Sequence, residues 1–366
     1  MRILHCIWTL GGGGAERQLG YLARQMASDG LETHVAFTRG GPNLRTIEQS
    51  DVILHSLPAR AKYDPRILSD LHSLIERLKP DIVQTWLTQM DIVAGLAAWW
   101  QRAPVVLAER SSAMAYPPNM RNLFRCFVAS KAMTIVANSN MGKEYWERQG
   151  YKGQVVVIRN GVPLGPINGT HSCSIIPARS KVALAPHEKL ILFAGRYDED
   201  KNLDVLLQSF SLALSRCPNA IAVLFGEGRT LMRMQNLHAT LAYQDRIHIC
   251  GYTSSLWSYM RRANLFVSLS TFEGNPNVVL EAIAADCPLV LSDIPAHREI
   301  VDEASALLVP ARNAEAAAGA IVQLLTDPDY ASRLAKRAQG HISHLSITEA
   351  ARQYHEIYRR ASSARE

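Results

Sequence analysis

The chain has 366 residues, 48% of them hydrophobic and 20% charged. That length suits about two domains at ~150 residues each, and the composition excludes disordered and fibrous classes. The balance of 39 Lys and Arg against 33 Asp and Glu gives +6, while the longest apolar run, Ile92 to Trp100, is about half of the ~20 residues a membrane span needs.

Residues 1–165 hold 19 Lys and Arg against 13 Asp and Glu, so the whole excess lies in the first half and the rest of the chain is balanced. No dense basic run and no nucleic-acid-binding motif accompanies it, so a nucleic-acid partner is not expected. The opening Met1-Arg2-Ile3-Leu4-His5-Cys6 reads as a first strand and lacks the apolar region and cleavage site of a signal peptide. The six cysteines are scattered, with no close pair. A cytoplasmic protein with reduced cysteines is the expectation.

In chain order, strands are expected near Ile3–Thr9, Thr33–Phe37, Val52–Leu57, Asp81–Thr85, Pro104–Ala108, Met133–Ala137 and Gln154–Ile158. Amphipathic helical stretches such as Ala15–Ser28, Pro65–Leu78 and Asn119–Lys131 lie between them. The second half repeats the plan, with strands near Leu190–Ala194, Ile221–Phe225, Arg246–Ile249, Leu265–Leu269, Leu289–Leu291 and Ala306–Val309. Helices there begin near Asn202, Arg229, Asn277 and Ala314. Continuous apolar strands alternating with helices indicate an α/β protein with two parallel, doubly wound sheets. The expected organisation is a first domain over 1–165, a Pro- and Gly-punctuated linker over 166–188 and a second domain over 189–345. The tail helix over 346–366 either completes the second domain or crosses back to the first.

Ligands of such sheets bind beyond the carboxyl ends of strands, so the loops there hold the candidate residues. The first is Gly11-Gly12-Gly13-Gly14, which opens a helix and suits a phosphate. A nicotinamide dinucleotide would want an acid at the end of the second strand, where the chain reads Phe37-Thr38-Arg39-Gly40. The second loop carries Arg196, a planar fork, and Lys201, a point charge, both suited to a diphosphate. Its Asp198-Glu199-Asp200 run invites a metal reading, which the neighbouring cations oppose. The third loop brings Glu273 and Asn275-Pro276-Asn277-Val278 before a helix carrying Glu281. Asn275 suits the N-cap and Pro276 the first helical position, leaving the amides of Asn277 and Val278 for an anion.

Taken together, these segments resemble the retaining, metal-independent glycosyltransferases of family 4, which have the GT-B fold. The motifs are Gly11–Arg17, Pro80-Asp81-Ile82-Val83, Asn138-Ser139, Val157–Val162, Gly195-Arg196 with Lys201, Gly226-Glu227-Gly228, and the Glu273-x7-Glu281 pair. The resemblance implies two Rossmann-like domains facing a central cleft, with the tail helix returning to the first domain. It implies that Arg196 and Lys201 grip the donor diphosphate, that Glu281 binds ribose hydroxyls and that Glu273 stands beside the transferred sugar. Asn275, Pro276, Asn277 and Val278 would hold phosphate and sugar, Gly12, Gly13 and Gly14 would close over the donor, and Gly226, Glu227, Gly251 and Tyr252 would line the base pocket. The implied reaction is hexosyl or N-acetylhexosaminyl transfer from a nucleotide diphosphate sugar, with UDP favoured, to a saccharide or lipid-linked acceptor, with no cofactor or metal. Many relatives have a histidine after the Pro80–Val83 strand; here the chain reads Gln84-Thr85-Trp86-Leu87-Thr88-Gln89. A non-catalytic sugar-nucleotide-binding protein and a sugar-nucleotide epimerase on the same fold stand as alternatives. The segment Arg110–Arg125 mixes basic, aromatic and Met residues, which suits either a peripheral contact with an anionic leaflet or a folded acceptor-side loop and helix.

Overall fold

The computed structural model describes residues 1–61, 64–111, 116–172, 185 and 187–363. The chain divides into two compact units, the first built from Met1–Gly161 with Leu345–Glu366 and the second from Val162–His344.

The first unit holds seven parallel strands: β1 (Arg2–Thr9), β2 (Glu32–Arg39), β3 (Ile53–Ser56), β4 (Ile82–Trp86), β5 (Val105–Glu109), β6 (Thr134–Ala137) and β7 (Gln154–Val157). Their order is β3-β2-β1-β4-β5-β6-β7, which places the topological switch between β1 and β4. Strand β1 shows why its sequence is apolar on both faces. Ile3 and Ile7 join one core, whereas Leu4, Cys6 and Trp8 join the core on the opposite face. Against the Ile3 face pack Leu19, Leu22 and Met26 of the helix Gly14–Ser28, along with the tail helix Ile347–Ser363. The tail presents Ala350, Tyr354, Ile357, Tyr358 and Ala361, a spacing that keeps one helical face toward the sheet. The Tyr358 hydroxyl bonds the Gln84 side chain in β4, which ties the end of the chain to the middle of this sheet.

The second unit holds β8 (Lys189–Ala194), β9 (Ala220–Phe225), β10 (Ile247–Cys250), β11 (Leu265–Ser268), β12 (Leu289–Ser292) and β13 (Leu307–Val309), in the order β10-β9-β8-β11-β12-β13. All ladders are parallel, and the switch lies between β8 and β11.

Three local readings change. The helix Leu164–Asn168 lies largely in the stretch read as linker, but its buried Ile167 makes it part of the second unit; 173–184 and 186 lie outside the described residues. The strand expected to end at Thr85 runs through Trp86, and the helix Leu87–Trp100 follows directly. That abrupt change of direction places Leu87 at φ 67°, left-handed backbone that a bulky residue seldom adopts. Finally, Lys201 ends a 3-10 turn (Glu199–Lys201), and Asn202, with φ 55°, separates it from the helix Leu203–Arg216.

Candidate active site

The second unit's site is built at its switch point. Lys201 follows β8 and Glu273 follows β11, and because these strands are neighbours the two side chains meet, with Lys201 Nζ donating to Glu273 Oε1 at 2.6 Å. Each side chain is 12% exposed, so the pair is sheltered yet reachable. Nζ also lies 3.1 Å from Asp200 Oδ2, and the Ser270 hydroxyl donates to Glu273 Oε1 at 2.8 Å. Burial pulls the Lys201 ammonium down, but Glu273 and Asp200 outweigh it and hold it above the ordinary lysine value. Burial likewise pushes the Glu273 carboxyl up, and Lys201, His297 and Ser270 more than reverse this. Both groups are therefore charged at neutral pH.

Backbone contacts lock the loops. Thr271 N–H donates to the Asp200 carbonyl at 2.9 Å, and Asn202 Nδ2 donates to the carbonyls of Leu269 at 3.1 Å and Ala311 at 2.6 Å. The left-handed Asn202 thus stitches together the loops after β8, β11 and β13.

Arg196 points elsewhere. Its guanidinium pairs with Asp198 at 3.0 Å and its side chain is 61% exposed, so it is free to swing toward a ligand at little cost. Asp198 also accepts from Arg229 Nε at 3.1 Å, while Glu199 faces Arg233 at 3.3 Å. Each acid of the Asp198–Asp200 run thus has a cation beside it, and no cluster of three or more potential metal ligands exists among the described residues.

The helix after the third loop begins one residue later than its sequence suggests. It spans Asn277–Ala284 with Pro276 as N-cap, because the Pro276 carbonyl, not that of Asn275, receives the first helical bonds, from Val279 at 3.1 Å and Leu280 at 3.3 Å. Asn275 and Asn277 are buried beside this turn, whose first amides lie outside the helix's own ladder. Glu281 is buried on the same helix, a little over one turn in.

Gly226 and Gly251 end β9 and β10 and meet through a 3.3 Å hydrogen bond from Gly226 N–H to the Gly251 carbonyl. A Cβ on Gly226 would lie 1.9 Å from the Gly195 carbonyl oxygen, so only glycine permits this approach. Glu227 and Tyr252 are exposed beside them. Gly12, Gly13 and Gly14 belong to the first unit, where Gly13 caps the helix Gly14–Ser28 and Gly12 faces open space.

His297, buried in the short helix Pro295–Arg298 after β12, was not among the sequence candidates. Its Nδ1–H donates to the Ser292 carbonyl at 2.7 Å, which leaves Nε2 as the acceptor, with no hydrogen-bond partner among the described residues. Burial holds the ring below its ordinary value, and hence neutral, against the opposing pull of Glu273. The rule that sites follow strands applies equally to the loop after β12 and would have found it.

Two Rossmann-like units of this topology define the GT-B class. The family profile "Glycosyltransferase Family 4" matches residues 12–165, and "Glycosyl transferases group 1" matches residues 175–341. The chain belongs to the family 4 glycosyltransferases. It is 26% identical to the lipopolysaccharide core biosynthesis glycosyltransferase LpsE of Rhizobium meliloti, covering 92% of this chain and 94% of that one. A Campylobacter jejuni α-1,4-N-acetyl-D-galactosaminyltransferase, whose name specifies a diphosphate-undecaprenol-linked acceptor, is 22% identical over 95% of each chain. Among solved structures, Anabaena Alr3699/HepE in complex with UDP-glucose superimposes with a TM-score of 0.84 at 19% identity, covering 98% of this chain and 99% of that one.

Proposed function

We propose that this glycosyltransferase moves a hexosyl or N-acetylhexosaminyl group from a UDP-sugar to a saccharide or lipid-linked acceptor, with retention of anomeric configuration and without a metal. The observation that carries the reading is the Lys201–Glu273 pair at the switch point of the second sheet. As the glycosidic bond to the diphosphate breaks, negative charge grows on the leaving phosphate. Lys201 is held cationic by its carboxylate neighbours, and Arg196 is exposed enough to turn toward that charge. The first turn of the helix Asn277–Ala284 adds its dipole, so Asn275, Pro276, Asn277 and Val278 are assigned to phosphate and sugar. Glu273, anchored by Lys201 and Ser270, is placed to accept hydrogen bonds from the transferred sugar's hydroxyls. Glu281 is assigned to the ribose, Gly226, Glu227, Gly251 and Tyr252 to the base, and Gly12, Gly13 and Gly14 to the donor from the first unit. Metal independence is supported by the cation beside each acid of the Asp198–Asp200 run. The names of the relatives, which describe polysaccharide and undecaprenol-linked products, and the UDP complexes of the structural neighbours support the donor and acceptor classes.

A panel of nucleotide sugars with saccharide and lipid-linked acceptors tests this, scored by nucleotide release and by the anomeric configuration of the product. UDP release that depends on acceptor, persists in chelator and gives a retained anomer is expected. An inverted product, or loss of turnover in chelator restored by a divalent cation, overturns the corresponding part. Binding without turnover across the panel overturns the enzymatic reading.

A further inference from the structure

The helix Met120–Ala129 in the first unit is built inside out. Its inward face carries a charge: Arg125, with no solvent exposure, sits 2.8 Å from Asp91 Oδ2 and 2.9 Å from Glu109 Oε2. Its outward face is apolar. Met120 is 78% exposed, Leu123 60%, Phe124 44% and Phe127 51%, a spacing of i, i+3, i+4 and i+7 that lines them along one side. The rings of Phe124 and Phe127 stack with centroids 6.2 Å apart. The preceding helix, Leu87–Trp100, packs so tightly against this one that a Cβ on Gly95 would come within 2.7 Å of Val128. That crossing brings the exposed Trp99 beside the end of the apolar stripe, where Lys131 Nζ lies 5.9 Å from the ring centroid.

Solitary exposed apolar residues are ordinary, but a contiguous stripe of them is not. Cations flank it, with Arg121 on the same helix and Lys131 beside Trp99. Between Ile92 and Lys143 the sole acid is Glu109, which is buried, whereas Arg102, Arg121 and Lys131 are exposed. This face, paired with itself across a two-fold axis, would set the cations Arg121 and Lys131 against their own copies. It suits an anionic bilayer surface, which takes aromatic and aliphatic side chains into its interfacial region and cations among its headgroups.

We propose that the outward face of the helix Met120–Ala129, with Trp99 and the cations Arg121 and Lys131, docks the first unit on an anionic membrane surface. The basic ends of the segment that drew attention in the sequence do not take part. Arg125 is held by Asp91 and Glu109, and Arg110 bonds Asn160 and lies 3.4 Å from the Tyr354 hydroxyl. The ion cluster beneath instead anchors the helix by its charged side, which leaves the apolar side to face outward. Residues 112–115 lie outside the described residues.

Co-sedimentation of the full chain with phosphatidylcholine vesicles, with and without phosphatidylglycerol, at low and high salt tests the proposal. Binding at least ~10-fold stronger to the anionic vesicles and weakened by salt is expected. Two double variants, Phe124→Ser with Phe127→Ser and Arg121→Glu with Lys131→Glu, are each expected to lose ~10-fold in that partition while keeping the parent's melting temperature and its response to UDP in thermal shift. No vesicle binding, binding indifferent to lipid charge, or variants that bind like the parent overturns it. So does self-association of the parent that the phenylalanine variant abolishes, which assigns the face to a second copy.

Discussion

The two units place a cation between carboxylates at the same end of similarly ordered sheets, and they treat it in opposite ways. In the second unit, Lys201 and Glu273 hang from the loops at the switch point and remain partly exposed, with Arg196 exposed nearby. In the first, Arg125 joins Glu109 at the end of β5 to Asp91 in the helix after β4, and all three are fully enclosed. The rings of Tyr116 and Trp146 lie over its guanidinium at 4.3 and 4.8 Å, and Trp146 Nε1 donates to Glu109 at 2.9 Å. Aromatic cover turns one cluster into an anchor, whereas the other, each side chain 12% exposed, is available to a ligand. A cation near the carboxyl end of a strand is therefore no sign of a site until its exposure is known.

The anchor should break the fold first. Arg125→Met strands two buried carboxylates and is expected to cost ~3–5 kcal/mol of stability in urea unfolding. A variant as stable as the parent would dissolve the contrast. Lys201→Ala should do the reverse, lowering turnover at least ~100-fold while cooperative unfolding is retained. Near-normal turnover would remove Lys201 from the diphosphate role.

The pH dependence of stability sharpens the contrast. Burial pushes the Asp91 carboxyl up to about 6, with Arg125 opposing, against 3.8 ordinarily. A carboxyl whose folded value is raised binds its proton more readily when folded, so its effect on stability improves as pH falls from about 6 toward 3.8. Asp91→Asn should abolish that component, worth ~3 kcal/mol across the window, when unfolding is compared between variant and parent at several pH values. An unchanged pH profile would show that Asp91 stays ionised. The smallest effect is expected at Arg196. Because Arg196 is 61% exposed and the buried Asp198 keeps Arg229 as a partner, Arg196→Ala should leave the melting temperature unaltered and lower donor use about tenfold, read as kcat/KM. A large loss of stability instead would give Arg196 the anchoring role.

Much of this was legible in the chain. Strand positions followed from short runs rich in Val, Ile and Leu, since both faces of a parallel sheet are covered. The cations at 196 and 201 and the acid at 273 were legible because they follow strands, whereas the glycines at 226 and 251 were marked only by the family resemblance. Local boundaries were less legible: the helix at Asn277 begins after Pro276, and β4 passes straight into a helix through Leu87. Such details depend on which carbonyl finds a donor, and no side-chain pattern records that.

By itself the sequence determined the α/β class, the repeated strand–helix plan and the loops in which chemistry is found, because periodicity and punctuation are local properties. Only the tertiary structure decided that Lys201 meets Glu273, that His297 is buried in the adjoining loop, and that Arg125 faces inward while Phe124 and Phe127 face water. Strand order and burial set those outcomes. Both arise from contacts between residues far apart in the chain, so no window of sequence contains them.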